Sequence, residues 1–525
     1  MKSLYLINPK EGSPGYHSMD VLAAWGIARA VNTADLTMPT IAAFAPKGWA
    51  VSICDERIQP VDFHTSALVI GITGKVSQRD RMIELAAEFR RRGKLVMIGG
   101  PYASLNPEDI APHADILVTG EIEEIAGQLF DDIAQERWQP RYQGTRPDLA
   151  LSPVPRWDLY PRNIALAAQV QTSRGCPFEC EFCDVIQYLG RKQRWKNPDQ
   201  VLRELDVLYA LGFRNVFFAD DNFTVVRRRA RELLDRLAAW NRSRPAGSVH
   251  FSTQLSIDLA RDPDLMAQCV EAGLGMAFIG VETPNQDSLA ETLKRQNLRI
   301  NLADEISKVV QAGIMVMCGM IVGFDHDGPD IFERQATFIE SLPVPIISLG
   351  LLVAPGATPL HARLHKEGRI AFDDRFGGGG FLETNIRPKL MSEAQLKAGM
   401  RWLMNRIYAP AAFGRRVRNY VDASVVRRPA TRMSLFGRLE GALAKRLAQY
   451  GLAERSLLEL MEGLTWQRPD LRGHLSYMLL HYCQPSRLVQ CPIVSQAQFR
   501  YSLQVVTHTG SMPWSIELLA RPMQR

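Results

Sequence analysis

Short apolar runs alternate with helical patterns through the first two thirds of this chain, and that alternation limits its fold more than any other feature. Residues 3–7, 50–54, 67–72, 95–98 and 115–118 are five strand-sized apolar runs. Between Gln78 and Gly93, Met82, Ile83, Leu85, Ala86 and Phe89 make one helical face that ends in a run of Arg. Continuously apolar strands separated by helices indicate a parallel sheet covered on both faces. A doubly wound, flavodoxin/Rossmann-like α/β domain is expected over residues 1–140.

Residues 126–165 read as a connector, because RPDLALSPVPRWDLYPRN is poor helix and poor sheet; the linker proper is placed at 141–166. A second alternating series follows, with strands expected at 167–172, 215–219, 249–254, 276–281, 314–322 and 346–353. Helical patterns at 198–211, 227–240 and 300–312 lie between them. Six β/α units over 167–371 suggest a partial barrel, with its site at the carboxyl ends of the strands. DDRFGGGGF at 373–381 reads as a flexible stretch. Beyond it the text is mainly helical, at 393–407, 438–450, 454–461 and 471–482, giving a helical domain over 372–525.

Composition sets the outer bounds. With 46% apolar and 22% charged residues the chain is globular, and a net charge of +6 is mild for 525 residues. The apolar start runs straight into Asn8-Pro9, which suits a first strand better than a signal peptide. Apolar runs such as 314–322 fall short of the roughly 18–20 residues a spanning helix needs, so a cytoplasmic location is expected. Eight cysteines are too few for a disulfide scaffold. Residues 411–446 carry nine Lys/Arg against two acids, either a solvated helical face or a surface for an anionic partner such as a membrane. A nucleic-acid module is disfavoured, since that stretch lacks interleaved aromatics.

Three of the cysteines, Cys176, Cys180 and Cys183, fall within eight residues as C-x3-C-x2-C, directly after an expected strand. Three thiolates on one tight loop can ligate three irons of a [4Fe–4S] cubane and leave the fourth open. The alternatives are a zinc site or chance. Structural zinc usually takes four protein ligands, and no fourth Cys or His lies nearby in the sequence.

With Phe182 before the last cysteine, the spacing resembles the radical S-adenosylmethionine (SAM) superfamily. Phe217-Phe218-Ala219-Asp220-Asp221-Asn222 looks like that family's second-strand motif, and Phe251-Ser252-Thr253-Gln254 matches its third-strand position. Gly275-Met276-Ala277-Phe278-Ile279-Gly280-Val281-Glu282 looks like its fourth-strand pattern. Taken singly these are weak signals, since Asp220 and Asp221 could be a helix cap and Glu282 a turn acid; their order behind the cysteine loop gives them weight. The resemblance implies that Phe182, Asp220, Asp221, Ser252, Gln254 and Glu282 line a SAM site. It also implies that the open iron chelates SAM and that a reduced cluster cleaves it to a hydrogen-abstracting radical.

The domain order, an α/β unit, then the barrel, then helices, resembles the cobalamin-binding members of that superfamily, and the hopanoid C-2 methylase group among them. The carriers are SPVPRWD at 152–158, residues 173–184, Asp220-Asp221-Asn222-Phe223 and Ile321-Val322-Gly323-Phe324-Asp325. In the first domain the resemblance implies cobalamin near Gly74, Gly99, Gly100, Gly120 and Glu121; the plain alternative is a Gly-rich turn with no cofactor. Many cobalamin domains supply a His to cobalt from D-x-H-x-x-G. Here Asp62-Phe63-His64 is followed by Ala67 and precedes the third strand, so no histidine ligand is expected and His64 is a loop residue. The group's usual PPLGL segment is replaced by Thr37-Met38-Pro39-Thr40-Ile41.

The function implied is methylation at an unactivated carbon of a small-molecule or lipid substrate, with flavodoxin or ferredoxin as reductant. A cobalamin-dependent cyclase or oxidative rearrangement enzyme shares the same parts. A non-catalytic iron–sulfur or cobalamin sensor is a third reading. A methylthiotransferase would need further cluster cysteines in the first domain, where Cys54 stands alone.

Overall fold

The computed structural model of the chain describes residues 2–12, 15, 18–161, 164–245, 247–371, 382–425 and 434–488. The glycine run of 373–381 lies outside them, as do residues 426–433 of the basic stretch.

The first sheet has six parallel strands in the order Ala50–Asp55, Ser3–Asn8, Val69–Thr73, Leu95–Gly99, Ile116–Thr119, Arg141–Gln143. The strand order reverses between Ser3–Asn8 and Val69–Thr73, the point at which a doubly wound sheet opens a crevice beyond its carboxyl ends. Helix Arg79–Arg91 buries Met82, Leu85, Ala86 and Phe89 against one face, the face its apolar spacing marked out. The stretch 126–165 is not the bare connector its composition suggested. It holds helix Ala126–Ala134, which buries Leu129, Phe130 and Ile133, and the sixth strand, Arg141–Gln143. Further on, Trp157 and Tyr160 are buried, and Tyr160 donates to Asp55 Oδ2 (2.8 Å) at the end of its strand.

The second sheet is a parallel half-barrel. Its order is Ile347–Leu351, Met315–Val322, Leu274–Glu282, His250–Leu255, Asn215–Phe218, Ala165–Val170 and Val31–Thr33. The six expected strands are all present. The seventh comes from the first 50 residues and pairs with the first barrel strand in register Val31↔Ala165 and Thr33↔Ala167. The two α/β units are therefore joined by a shared sheet as well as by a chain crossing.

Helix Pro359–Lys366 follows the last barrel strand, and among the described residues beyond 381 there are five α-helices: Glu393–Ile407, Pro410–Ala423, Ser434–Leu447, Leu452–Gln467 and Arg472–Leu488. Pro410–Ala423 lies inside the stretch read as a basic surface, yet it buries Phe413, Val417 and Tyr420 together with Arg416. Burial pulls the Arg416 guanidinium down to about 10. Among the described residues, no helix is long and apolar enough to cross a membrane.

Candidate functional site

The cysteine loop leaves the first barrel strand at its carboxyl end and is held from several sides. Asp220, fully buried at the end of the second barrel strand, accepts from the Thr172 N–H (2.7 Å), the Thr172 hydroxyl (2.5 Å) and the Ser173 hydroxyl (2.7 Å). Asp221 accepts from the Gly175 N–H (2.9 Å). Gly175 has φ +97°, and a Cβ there would lie 2.8 Å from the Gly190 carbonyl, so this position requires glycine. The Cys176 N–H donates to Gly190 O (3.2 Å) and the Cys183 N–H to Cys180 O (3.1 Å). Glu181 forms a two-pronged ion pair with Arg363 (2.7 and 3.1 Å), and Arg363 also meets Asp325 (2.7 Å). The loop is thereby tied to the segments that follow the fifth and sixth barrel strands.

Cys180 is buried, and Cys176 and Cys183 are half-buried. Burial raises the Cys176 thiol and pushes Cys183 up to about 12. Thiolate charge at these sulfurs needs a soft cation beside it, which is the chemistry of a cluster. Among the described residues, no three His, Cys, Asp or Glu side chains converge as donors around a single ion. A cubane makes no such demand, since its ligands are distributed over separate irons.

Facing the loop is a second buried pair. Lys294 Nζ lies 2.7 Å from Glu282 Oε1 and 6.0 Å from the centre of the Phe182 ring, which packs on Phe324. Burial disfavours the Lys294 charge, but Glu282 and the nearby thiols outweigh that and hold the ammonium above the ordinary lysine range. Glu282 sits at a break in register with the fifth strand and has φ +67°, a strained conformation for a non-glycine residue. A Cβ on Gly280 would approach Glu282 Oε1 to 2.3 Å, which explains the glycine two residues earlier. The Gln296 amide donates to Cys180 Sγ (3.8 Å). Lys294 and Gln296 belong to no motif visible in the sequence. Ser252 and Gln254 project from the third strand into the barrel lumen, on the opposite face from buried Phe251 and Thr253. Burial pushes Asp221 up to about 6, against the bond from Gly175.

A cavity of about 260 Å³ opens at the carboxyl ends of the first sheet. Gly99, Gly100, Gly120 and Glu121 line it from that sheet, while Gln169, Gln171, Arg174 and Ala219 close it from the barrel. Thr37, Thr40 and Ile41, the segment that replaces PPLGL, line it too. The glycines there are glycine for different reasons. Gly100 has φ +93°, and its Cβ would meet Thr73 Oγ1 at 2.5 Å; Gly120 has φ +72°, and its Cβ would meet the Gly144 carbonyl at 2.3 Å. Gly74, beside the cavity, would drive a Cβ into Met82 Sδ at 2.6 Å. Packing alone explains these three. Gly99 differs: its Cβ would stand 3.4 Å from Val118 O and 3.5 Å from Val118 Cβ, with φ outside the left-handed region. Protein packing would tolerate a methyl at that position, so neither crowding nor backbone conformation requires glycine there.

Glu121 faces the cavity but is committed to an ion network. It accepts from Arg174 (2.5 Å) and Arg194 (2.5 Å), while Arg174 also meets Glu123 (2.7 Å), which accepts from the Ser152 hydroxyl (2.7 Å). Arg174 lies two residues before Cys176, so this network fastens the cysteine loop to the first domain. His64 is exposed on the loop before strand Val69–Thr73, at the opposite end of the sheet from the cavity.

Residues 170–339 match the radical SAM superfamily, and residues 358–466 match a domain of unknown function, DUF4070. An uncharacterized methyltransferase of Synechocystis sp. is 39% identical over 353 residues, 66% of this chain and 65% of that protein. The hopanoid C-2 methylase of Rhodopseudomonas palustris is 31% identical over 401 residues, 75% of this chain and 74% of that one. Among solved structures, the cobalamin-dependent SAM radical enzyme OxsB with aqua-cobalamin bound aligns with a TM-score of 0.60 at 15% identity. That alignment covers 96% of this chain and 81% of OxsB. The radical SAM methyltransferase TsrM of Kitasatospora setae aligns with a TM-score of 0.53 at 15% identity, over 70% and 76% of the two chains.

Proposed function

This chain belongs to the radical SAM superfamily, and from that premise we propose that it is a cobalamin-dependent C-methyltransferase acting on an unactivated carbon of a small-molecule or lipid substrate. The observation that carries the reading is the wall shared by the two α/β units. Arg174, in the cysteine loop, lines the cavity at the end of the first sheet and is paired there with Glu121 and Glu123. A group bound in that cavity and one bound at the cysteines would be neighbours.

Cys176, Cys180 and Cys183 would hold the [4Fe–4S] cluster. Asp221, Glu282, Ser252, Gln254 and Phe182 would bind SAM, and Gly99 would let cobalamin approach the first sheet without a ligand from histidine. Bound together, these groups supply a hydrogen-abstracting radical and a methyl group. The chain's own residues do the positioning. Asp220 fixes the root of the cysteine loop through Thr172 and Ser173. The Glu282–Lys294 pair keeps a fixed charge pattern beside the cysteines, and Phe182, next to Cys183 in the chain, packs on Phe324. The relatives' methyltransferase names and the cobalamin held by OxsB support the choice of reaction. A cytoplasmic setting with a flavodoxin- or ferredoxin-type reductant fits this chemistry.

The test is anaerobic reconstitution with iron, sulfide and hydroxocobalamin, followed by SAM, a strong reductant and a lipid and small-molecule extract as the source of substrate. Formation of 5′-deoxyadenosine is expected, together with a product heavier by one CH2. A product lighter by H2 would replace methylation with oxidative cyclisation, and absence of 5′-deoxyadenosine would reduce the protein to a sensor.

A further inference from the structure

The half-barrel encloses a cavity of about 700 Å³. TIM-type sites sit at the carboxyl ends of the strands, but this cavity is lined mainly by the amino halves of the strands, and only the third strand lines it as far as its carboxyl end. Its upper part is bounded by Ser252 and Gln254 and its lower part by Gly273, Gly275 and Met315. Its walls are Phe217, Met276, Phe278 and Met317, from three of the central strands. Phe217, Met276 and Phe278 alternate along their strands with fully buried neighbours, yet are themselves half-buried. Their exposed surface faces the lumen, so the cavity is walled by aromatic and thioether surface.

The floor is unusual because the barrel does not make it. Helix Arg472–Leu488 contributes His474 and Tyr477, and the edge strand Val31–Thr33 contributes Asn32, whose amide donates to the Tyr477 hydroxyl (3.3 Å). The His474 ring is fixed by the Tyr420 hydroxyl (2.6 Å). The charged lining residues are Arg242, Glu271 and Asp470. All three lie at the amino end, where Arg242 and Glu271 form a solvent-exposed ion pair (2.7 Å, side chains 63% and 62% exposed) that marks a mouth. Asp470 is paired with Arg468 (2.7 Å).

We propose that the substrate, a largely apolar molecule with a polar terminus, enters the barrel through this amino-end mouth and lies in the lumen with its polar end on the Asn32–His474–Tyr477 floor. This rests on the radical SAM reading for the location of the chemistry, at the carboxyl end near Gln254. The apolar body packs on Phe217, Met276, Phe278 and Met317. The size of the cavity suits one drug-sized molecule, and its apolar wall selects against ions. The C-terminal helix and the edge strand from the first domain then read the substrate's polar end, and they set specificity from residues outside the barrel motifs.

The experiment uses the full chain without cofactors and benzophenone, an uncharged apolar photoprobe that labels methionine readily. Irradiation followed by peptide mass spectrometry should place label on Met276, Met315 or Met317 of the wild-type chain. Met276→Trp, which fills the middle of the lumen, should lower labelling at Met317 at least tenfold with an unchanged circular dichroism spectrum. Hydroxocobalamin, bound at the other cavity, should leave the labelling unchanged. Label confined to methionines outside the lumen, or suppressed by hydroxocobalamin, would overturn the proposal, and the wild-type labelling pattern decides the matter even if Met276→Trp fails to fold. Failure of the wild-type chain to form 5′-deoxyadenosine would instead sink the radical reading and leave the labelling result standing.

Discussion

Gly99 and Gly100 are neighbours in sequence, and the structure separates their roles sharply enough to test. At Gly100 an added methyl meets Thr73 Oγ1 at 2.5 Å and the Gly74 nitrogen at 3.1 Å, with φ at +93°. At φ +93° and ψ −172° the backbone lies in a region essentially reserved to glycine, which costs roughly 1–3 kcal/mol for a residue with a Cβ, and the crowding about as much again. Gly100→Ala should therefore lower the unfolding midpoint of the cofactor-free chain. At Gly99 the methyl stands 3.4 Å from Val118 O and 3.5 Å from Val118 Cβ, an ordinary contact, so folding stability should stay within about 0.5 kcal/mol of wild type. Gly99 lines the cavity where the corrin would lie, so the same methyl adds bulk at that wall. Overpacking one methyl against a rigid surface costs about 1–3 kcal/mol, or roughly 5- to 150-fold in dissociation constant. Urea unfolding of both variants and absorbance titration with hydroxocobalamin give the two readouts. Wild-type cobalamin affinity in Gly99→Ala would refute the assignment of that strand end to the cofactor.

Other perturbations address the remaining parts. Cys180→Ala should abolish the cluster absorption and the bound iron after reconstitution; retention of both would remove the cysteine assignment. Glu282→Gln leaves Lys294 buried without its carboxylate (2.7 Å in the native pair), a loss on the order of 3–5 kcal/mol in buried pairs; SAM affinity by equilibrium dialysis should fall at least tenfold, and an unchanged value counts against the site. Glu121→Gln should destabilise the chain by about 3 kcal/mol, since Arg194 loses the carboxylate it pairs with while Arg174 keeps Glu123; an unchanged urea midpoint would show that the network does not join the domains. Burial would raise Asp325, but Arg369 and Arg363 hold it below the usual carboxylate range. Its stabilising effect is thus complete above about pH 4, the unfolded value, and is lost as pH falls through the lower folded one. Asp325→Asn should be less stable than wild type at pH 7, with the gap closing in acid; a gap independent of pH would contradict the pairing.

What the sequence made legible follows from length and apolarity. Of the six barrel strands, Ala165–Val170 and Met315–Val322 bury nearly continuous apolar runs, the other four alternate, and all are readable to within a few residues. In the two large sheets, the strands that sequence patterning misses are Val31–Thr33 and Arg141–Gln143, three residues each. In Arg141–Gln143 Tyr142 is buried between two exposed polar residues, so no apolar run announces a strand whose identity comes from its neighbour in the sheet. Arg416 misleads in the opposite direction, because a guanidinium counted as surface charge lies buried in helix Pro410–Ala423. In the site, the strand-end motifs are legible because their order matches a known family. Lys294 is not, since its role depends on a fold that returns the chain to Glu282, twelve residues earlier. Glu121 shows that a motif position can be read correctly as facing the cavity while its charge already belongs to Arg174 and Arg194.

The cysteine loop raises a physical problem that its surroundings solve. It has almost no regular structure, apart from a two-residue pairing of Ser173–Arg174 with Arg194–Trp195 and the short helix Val185–Tyr188. A loop of that kind has little reason to keep three thiols in place. Its position is fixed by carboxylates at both ends. Asp220 and Asp221 hold Thr172 to Gly175 from the second barrel strand, Glu121 and Glu123 hold Arg174 from the first domain, and Glu181 reaches out to Arg363, which Asp325 also grips. These are charge-assisted bonds among largely buried groups, where each counts for more than it would in water. Asp220, Asp221, Glu121, Glu123 and Arg363 all lie outside the β/α unit that carries the cysteines, and Glu121 and Glu123 lie outside the barrel altogether. The loop's geometry is therefore a property of the assembled molecule, and isolating the barrel would remove the carboxylates that hold Arg174.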